Sequence, residues 1–183
     1  MTYVKLSQVL LYMLTVTATG KQLMRLTTRT NLAMRALMFC AVNEGRIVRK
    51  SEMAKACNAS ENHLAQVVNT LSQTGYLQTV RGRNGGIRLA KAKDHISVGA
   101  VFRKFEAHLP LTECFDRDHN TCPLANSCRL PTYLVGALGA FYSYLDGISL
   151  ADLVNDNVEL STILSVAAPI VSQLEKAETP SAT

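Results

Sequence analysis

Three cysteines, Cys114, Cys122 and Cys128, stand on one polar stretch with seven and five residues between them. Turn formers fill the intervals, among them Asp116, Asp118, Asn120, Pro123 and Asn126, so packing gives no reason for thiols there. Three thiolates on a short loop suit a soft metal ion or an iron–sulfur cluster, with one coordination position left for another ligand. Zinc is the rival occupant. His119 lies in the same stretch and would complete a three-cysteine, one-histidine set, although the paired cysteines usual in structural zinc sites are missing. A disulfide with one thiol left over fits less well in a chain without a convincing export signal. Spacing alone leaves cluster and zinc level. The other two cysteines read differently: Cys40 lies on an apolar helical stripe and Cys57 closes a short helix, positions for small buried hydrophobes.

A second chemistry shows in the charges. The 183 residues carry a net charge of +5, unevenly placed. Between Met24 and Asp94 there are twelve Lys/Arg against four Asp/Glu, and from His95 to Thr183 five against ten. The basic half is suited to a polyanion, and the acidic half to another task. Apolar residues make up 48% and charged residues 18%, enough to bury a core. No apolar run reaches the roughly 18–20 residues of a membrane-spanning helix. Tryptophan is absent and aromatics are 6%, which argues against a stacking platform for single strands. No acid/base pair, nucleotide fingerprint or second cysteine set supports an enzyme or electron carrier.

The elements that must position these groups follow from periodicity. Leu32, Ala33, Ala36, Leu37, Cys40 and Ala41 recur at helical spacing from Thr30 to Val42, and Gly45 stops the run. Ser51 is expected to cap a short helix to about Cys57, and Ser60 a third helix with the stripe Leu64, Val67, Val68, Leu71, ended by Gly75. The connection from Cys57 to Ser60 has the length of a helix-turn-helix corner. A strand from Tyr76 to Arg81, a turn through Gly82, Arg83, Asn84, Gly85 and Gly86, and a return along Ile87–Leu89 complete a hairpin. Three helices and an arginine-bearing hairpin describe a winged helix-turn-helix. The outer face of the Ser60 helix carries Asn62, His63 and Gln66, able to read base edges in a major groove. Arg81, Arg83 and Arg88 surround a glycine turn that can lie close to a phosphate backbone.

In the acidic half, Ser97 is expected to cap a helix to Ala107 that presents Val98, Val101, Phe102 and Phe105 to the winged part. Leu130–Leu145 is long, apolar and rich in small residues, and a second copy of the chain is the expected cover. Two-fold pairing sets recognition helices one DNA turn apart, which predicts double-stranded DNA with a near-palindromic operator. Short helices are expected over 150–156 and 160–167, then a loose tail. The expected division is an appendage or overextended start over 1–23, a DNA-binding domain over 24–94, a loop and dimerisation region over 95–166, and a tail over 167–183. Lys5 and the apolar run Val9–Leu14 make a poor secretory signal, because no clean cleavage site follows. A cytoplasmic location is therefore expected.

Arg25-Leu26-Thr27, the run from Val80 to Leu89, Glu113-Cys114-Phe115-Asp116, the cysteine spacing and Leu150–Val154 together resemble the Rrf-type bacterial regulators over about Met24 to Val166. The resemblance implies a homodimeric winged-helix transcription factor, a repressor in the branch most similar here, the nitric-oxide-responsive NsrR branch. It implies that Cys114, Cys122 and Cys128 hold an iron–sulfur cluster, either [2Fe–2S] or [4Fe–4S]. The candidate DNA contacts are Arg25, Ser60, Asn62, His63, Gln66, Arg81, Arg83, Asn84 and Gly85. In some members an aspartate on the partner's first helix is the fourth ligand, and the matching position here is Asn31. An amide is a poor iron ligand beside a carboxylate. The iron-responsive RirA branch also resembles the pattern and can have asparagine there, so iron status is the alternative signal.

Overall fold

Helix α1, Thr28–Val42, is the centre of the molecule. Its apolar residues face several directions: Leu32, Ala33, Ala36, Leu37, Phe39 and Cys40 are all buried, so neighbours must cover it on more than one side. The computed structural model describes residues 26–106, 112–116 and 119–166. Around α1 pack α2 (Lys50–Ala56), α3 (Glu61–Gln73), the hairpin β1 (Leu77–Val80) and β2 (Gly86–Leu89), α4 (Val98–Glu106), α6 (Leu150–Val154) and α7 (Val158–Leu164). Helix α5, Leu130–Asp146, packs instead along α4. Among the described residues, a mostly helical arrangement with one two-stranded antiparallel sheet is the winged helix-turn-helix expected from the sequence, with the long helix following the cysteine loop.

Local chemistry explains the boundaries. Thr27 caps α1, its Oγ1 accepting from the Thr30 N–H at 3.2 Å. Ser60 caps α3 by accepting from the His63 N–H, and Gly75 ends that helix with φ +73°. Ser51 does not cap α2. The helix begins two residues earlier, at Lys50 after Arg49, and Glu52 reaches back to accept the Arg49 N–H at 2.7 Å, leaving Ser51 inside the first turn. At α4 the expected cap is present, Ser97 Oγ accepting from Ala100 N–H at 3.3 Å. The helix expected over 160–167 starts earlier, at Val158, because Asn157 Oδ1 accepts the Leu160 N–H, and it ends at Leu164.

The hairpin pairs Leu77 with Leu89 and Val80 with Gly86. Its inner edge is completed by Val48, which exchanges two backbone hydrogen bonds with Ile87 at 2.9 and 2.8 Å. Gly86 is required there, because a side chain would run into the Val48 carbonyl oxygen and lie 2.7 Å from Ile47 Cγ2. A similar approach joins α4 to α5: a Cβ on Gly99 would lie 2.7 Å from Asp146 N. Buried Asn43 donates to Phe39 O and Leu164 O and accepts from Val166 N–H, tying α7 to the end of α1.

Candidate nucleic-acid interface and cysteine loop

One surface of α3 is solvent-facing because its apolar stripe is not. Leu64, Val67, Val68 and Leu71 are buried, which turns Glu61, Asn62, His63, Gln66 and Asn69 outward. Asn62, Gln66 and Asn69 carry no formal charge, so beyond Glu61, which pairs with Lys50, they offer directional donors and acceptors. The Cys57–Ser60 corner supports α3 at its start: Asn58 adopts φ +47°, and Ala59 N–H bonds Ala54 O at 3.0 Å. Arg35 donates to the Cys57 carbonyl from α1, bracing the same corner.

The hairpin tip lies exposed at Arg81, Gly82, Arg83 and Asn84. Gly82 has φ +109°, a conformation that favours glycine, and its carbonyl accepts the Gly85 N–H at 2.9 Å. Gly85 itself cannot take a side chain, which would meet the Val80 carbonyl oxygen and sit 2.9 Å from Gly82 O. Arg88 is held across the strands, its Nε donating to Gln78 Oε1 at 3.0 Å, and Arg81 and Arg83 are exposed. Ser60, Asn62, His63, Gln66, Arg81, Arg83, Asn84 and Gly85 are all among the described residues. Arg25 lies outside them, as do residues 1–23 and the tail from 167 onward.

The five thiols divide cleanly. Cys40 and Cys57 are 3% and 1% exposed. Burial, and then the neighbouring Cys57, push the Cys40 thiol up to about 12. Burial pushes Cys57 up to about 11 against the opposing pull of Arg35. Neither offers a thiolate at neutral pH. Cys114, Cys122 and Cys128 are half-exposed, unbridged by disulfides, and set between α4 and α5. Cys114 lies on a short 3₁₀ turn, Glu113–Phe115, with its sulfur 2.8 Å from Thr112 Oγ1. Cys122 opens a turn in which its carbonyl accepts from Ala125 N–H at 3.2 Å, and Cys128 N–H bonds Leu124 O at 2.9 Å. His119 is drawn to Asp116 at 3.1 Å. Among the described residues no three Cys, His, Asp or Glu side chains converge as a ligand set. Each thiol follows its own local turn. The donor set nonetheless fits a thiophilic group: three accessible sulfurs share one loop, and none serves the core.

Beyond the loop, α5 shows what the loop leads into. None of its residues is fully buried, and Tyr133, Val135 and Tyr144 are 72%, 57% and 70% exposed. One side meets α4 through the Phe102 and Phe141 rings, centroids 6.4 Å apart, and through Arg103, which pairs with Asp146 and lies over the Tyr142 ring. Gly136 and Gly139 face open space. Asn31, the position matched to a fourth ligand, is exposed in the opening turns of α1. Periodicity and spacing missed the neighbours of that turn. Thr27 and Thr30 both donate to Glu106 at the end of α4, and no local pattern links residues so far apart.

Residues 26–156 match the family model described as Rrf2, iron-dependent transcriptional regulator. The chain is 44% identical over 142 residues to the HTH-type transcriptional regulator NsrR of Geobacillus kaustophilus, covering 77% of this chain and 97% of that protein. It is 38% identical to Protein aau3 of Rhizobium meliloti, covering 84% of this chain and all of that one. Among solved structures, T. potens IscR superposes with a TM-score of 0.60 at 23% identity, over 81% of this chain and 96% of that one. No helix among the described residues is long and apolar enough to cross a membrane.

Proposed function

The chain belongs to the Rrf2 family of transcriptional regulators, and on that premise we propose that it is a DNA-binding repressor that senses nitric oxide through an iron–sulfur cluster held by Cys114, Cys122 and Cys128. In this reading residues 24–94 read DNA and residues 95–166 carry the sensor loop and the dimer contacts. The observation that carries it is the division of the thiols: two are buried and protonated, and three are half-exposed on the loop that joins α4 to α5.

The chain's own residues supply the rest. Asn62, His63 and Gln66 would meet base edges in a major groove, with Ser60 at the helix start and Arg25, which precedes α1 in the sequence, reaching phosphates. Arg81, Arg83, Asn84 and Gly85 would hold the wing on the sugar–phosphate backbone. The exposed face of α5 is covered by the same face of a second copy, its two glycines allowing close approach. Such a homodimer sets two α3 helices on a near-palindromic operator. When bound, the cluster supplies thiolate-held iron on which nitric oxide acts. Asn31 is the candidate fourth-ligand position from the partner copy, and an uncharged amide there leaves that position weakly held.

Anaerobic purification followed by absorption, iron and sulfide analysis tests the cofactor. Broad visible bands that vanish when any of Cys114, Cys122 or Cys128 becomes serine, and persist in Cys40→Ser and Cys57→Ser, are the expected result. Zinc without visible absorption would replace the sensor by a structural site. The signal is tested by titrating DNA binding against nitric oxide and, separately, an iron chelator. Asn31 favours one second reading, in which iron status is the signal and chelation alone releases DNA. Indifference to both agents overturns sensing.

A further inference from the structure

Glu106 closes α4 eight positions before Cys114. Its Oε1 accepts three hydrogen bonds from the opening of α1: from Thr27 N–H at 3.0 Å, from Thr27 Oγ1 at 2.9 Å and from Thr30 Oγ1. Thr30 is fully buried, so the contact is an interior one on the α1 side. The first turn of α1 contains no acidic residue of its own. Glu106 therefore places, from another element, the anion that the positive end of a helix favours. The Tyr142 phenol of α5 is pushed up first by burial and then by the Glu106 charge. The carboxylate thus ties the end of α4 to the opening of α1. In the chain the cysteine loop follows α4 and leads into α5, which packs along α4, so Glu106 stands at the end of the helix from which the loop departs. The turn that Glu106 holds carries exposed Arg29 and leads directly to exposed Asn31.

We propose that Glu106 is a positioning residue that fixes the first turn of α1 in its DNA-binding placement and relays the state of the cysteine loop to that turn. The positioning rests on DNA binding alone, and the relay on the sensing reading above.

The test uses the full chain and a duplex selected by the wild-type protein from a random pool, with unselected duplex as control. Glu106→Ala and Glu106→Gln are prepared anaerobically, each alone and combined with serine at Cys114, Cys122 and Cys128. Glu106→Ala is expected to melt cooperatively, to keep its visible absorption, and to lose about tenfold in affinity for the selected duplex. Glu106→Gln still accepts hydrogen bonds without the charge and should recover part of that loss. Serine replacement should change affinity in the wild-type background and leave it unchanged beside Glu106→Ala. Should Glu106→Ala fail to melt cooperatively, Thr30→Val, which removes one donor, carries the same comparison. Wild-type affinity in Glu106→Ala overturns the positioning. A serine effect undiminished beside Glu106→Ala overturns the relay. Serine replacement without effect in either background removes the sensing reading and the relay, while a loss from Glu106→Ala alone still supports the positioning.

Discussion

Arg103 grips Asp146 through two parallel contacts of 2.5 Å, guanidinium to carboxylate, and so locks the middle of α4 to the end of α5. The hydrogen bonds from Arg103 hold the Asp146 carboxyl below the usual carboxylate range, and those same bonds raise the guanidinium. Both side chains are more than 40% exposed, so solvent and salt weaken the pair. Its importance is geometric, because it sets how the helix beyond the cysteine loop sits on the helix before it.

A carboxyl depressed by folding contributes stability that is present above its unfolded pKa of about 3.9 and lost as pH falls through the folded value. The wild-type protein should therefore melt slightly above Asp146→Asn at neutral pH, with the gap closing under acid conditions below the ordinary carboxylate range. Added salt should narrow it too. Thermal melts across pH check this, and a gap that widens in acid contradicts it.

Alkylation should separate the thiols. A thiol with a pKa near 12 is ionised in only about one molecule in ten thousand at pH 8. Mass spectrometry after brief maleimide treatment of the cluster-free protein at that pH should find adducts on Cys114, Cys122 and Cys128. Cys40 and Cys57 should react only in denaturant. Rapid labelling of Cys40 in the folded protein would contradict its burial.

Substitutions on α3 and the wing should act differently. Asn62→Ala and Gln66→Ala are expected to cost about 1–3 kcal/mol of preference for the selected duplex over random DNA. Arg83→Ala should weaken both complexes and flatten the salt slope by about one. Equal losses on both DNAs in the helix variants would show that α3 does not read bases.

Gly86→Ala places a methyl group against the Val48 carbonyl and Ile47, and neither backbone can retreat without breaking the Val48–Ile87 bridge. Overpacking of this kind costs about 1–3 kcal/mol. Urea denaturation should show a lower midpoint, and an unchanged one would mean that the wing is not seated on Val48.

Much of this architecture was legible before any coordinates. The stripe Leu64, Val67, Val68, Leu71, the cap at Ser60 and the glycine turn at Gly82 are consequences of 3.6-residue periodicity, of a bond spanning three residues, and of φ +109°. Each is settled within one or two turns of chain, and so is written in the order of residue types. Ser51 shows the limit even there. Two polar residues compete for one helix start, and the reach of Glu52 to the Arg49 N–H decides between them.

The thiols show the boundary most clearly. Which five positions carry sulfur, and that three share a polar loop, follows from the sequence alone. That Cys40 and Cys57 are protonated follows from burial inside a core assembled from distant segments. The apolar character of Leu130–Leu145 demanded a partner surface, but only packing shows that α4 takes one side through Phe102 and leaves Tyr133 and Val135 outside. The bonds from Thr27 and Thr30 to Glu106 cross more than seventy residues and have no periodicity to announce them. Such contacts depend on where whole helices come to rest, which the combined burial of α1, α4 and α6 decides and no single stretch of residues encodes.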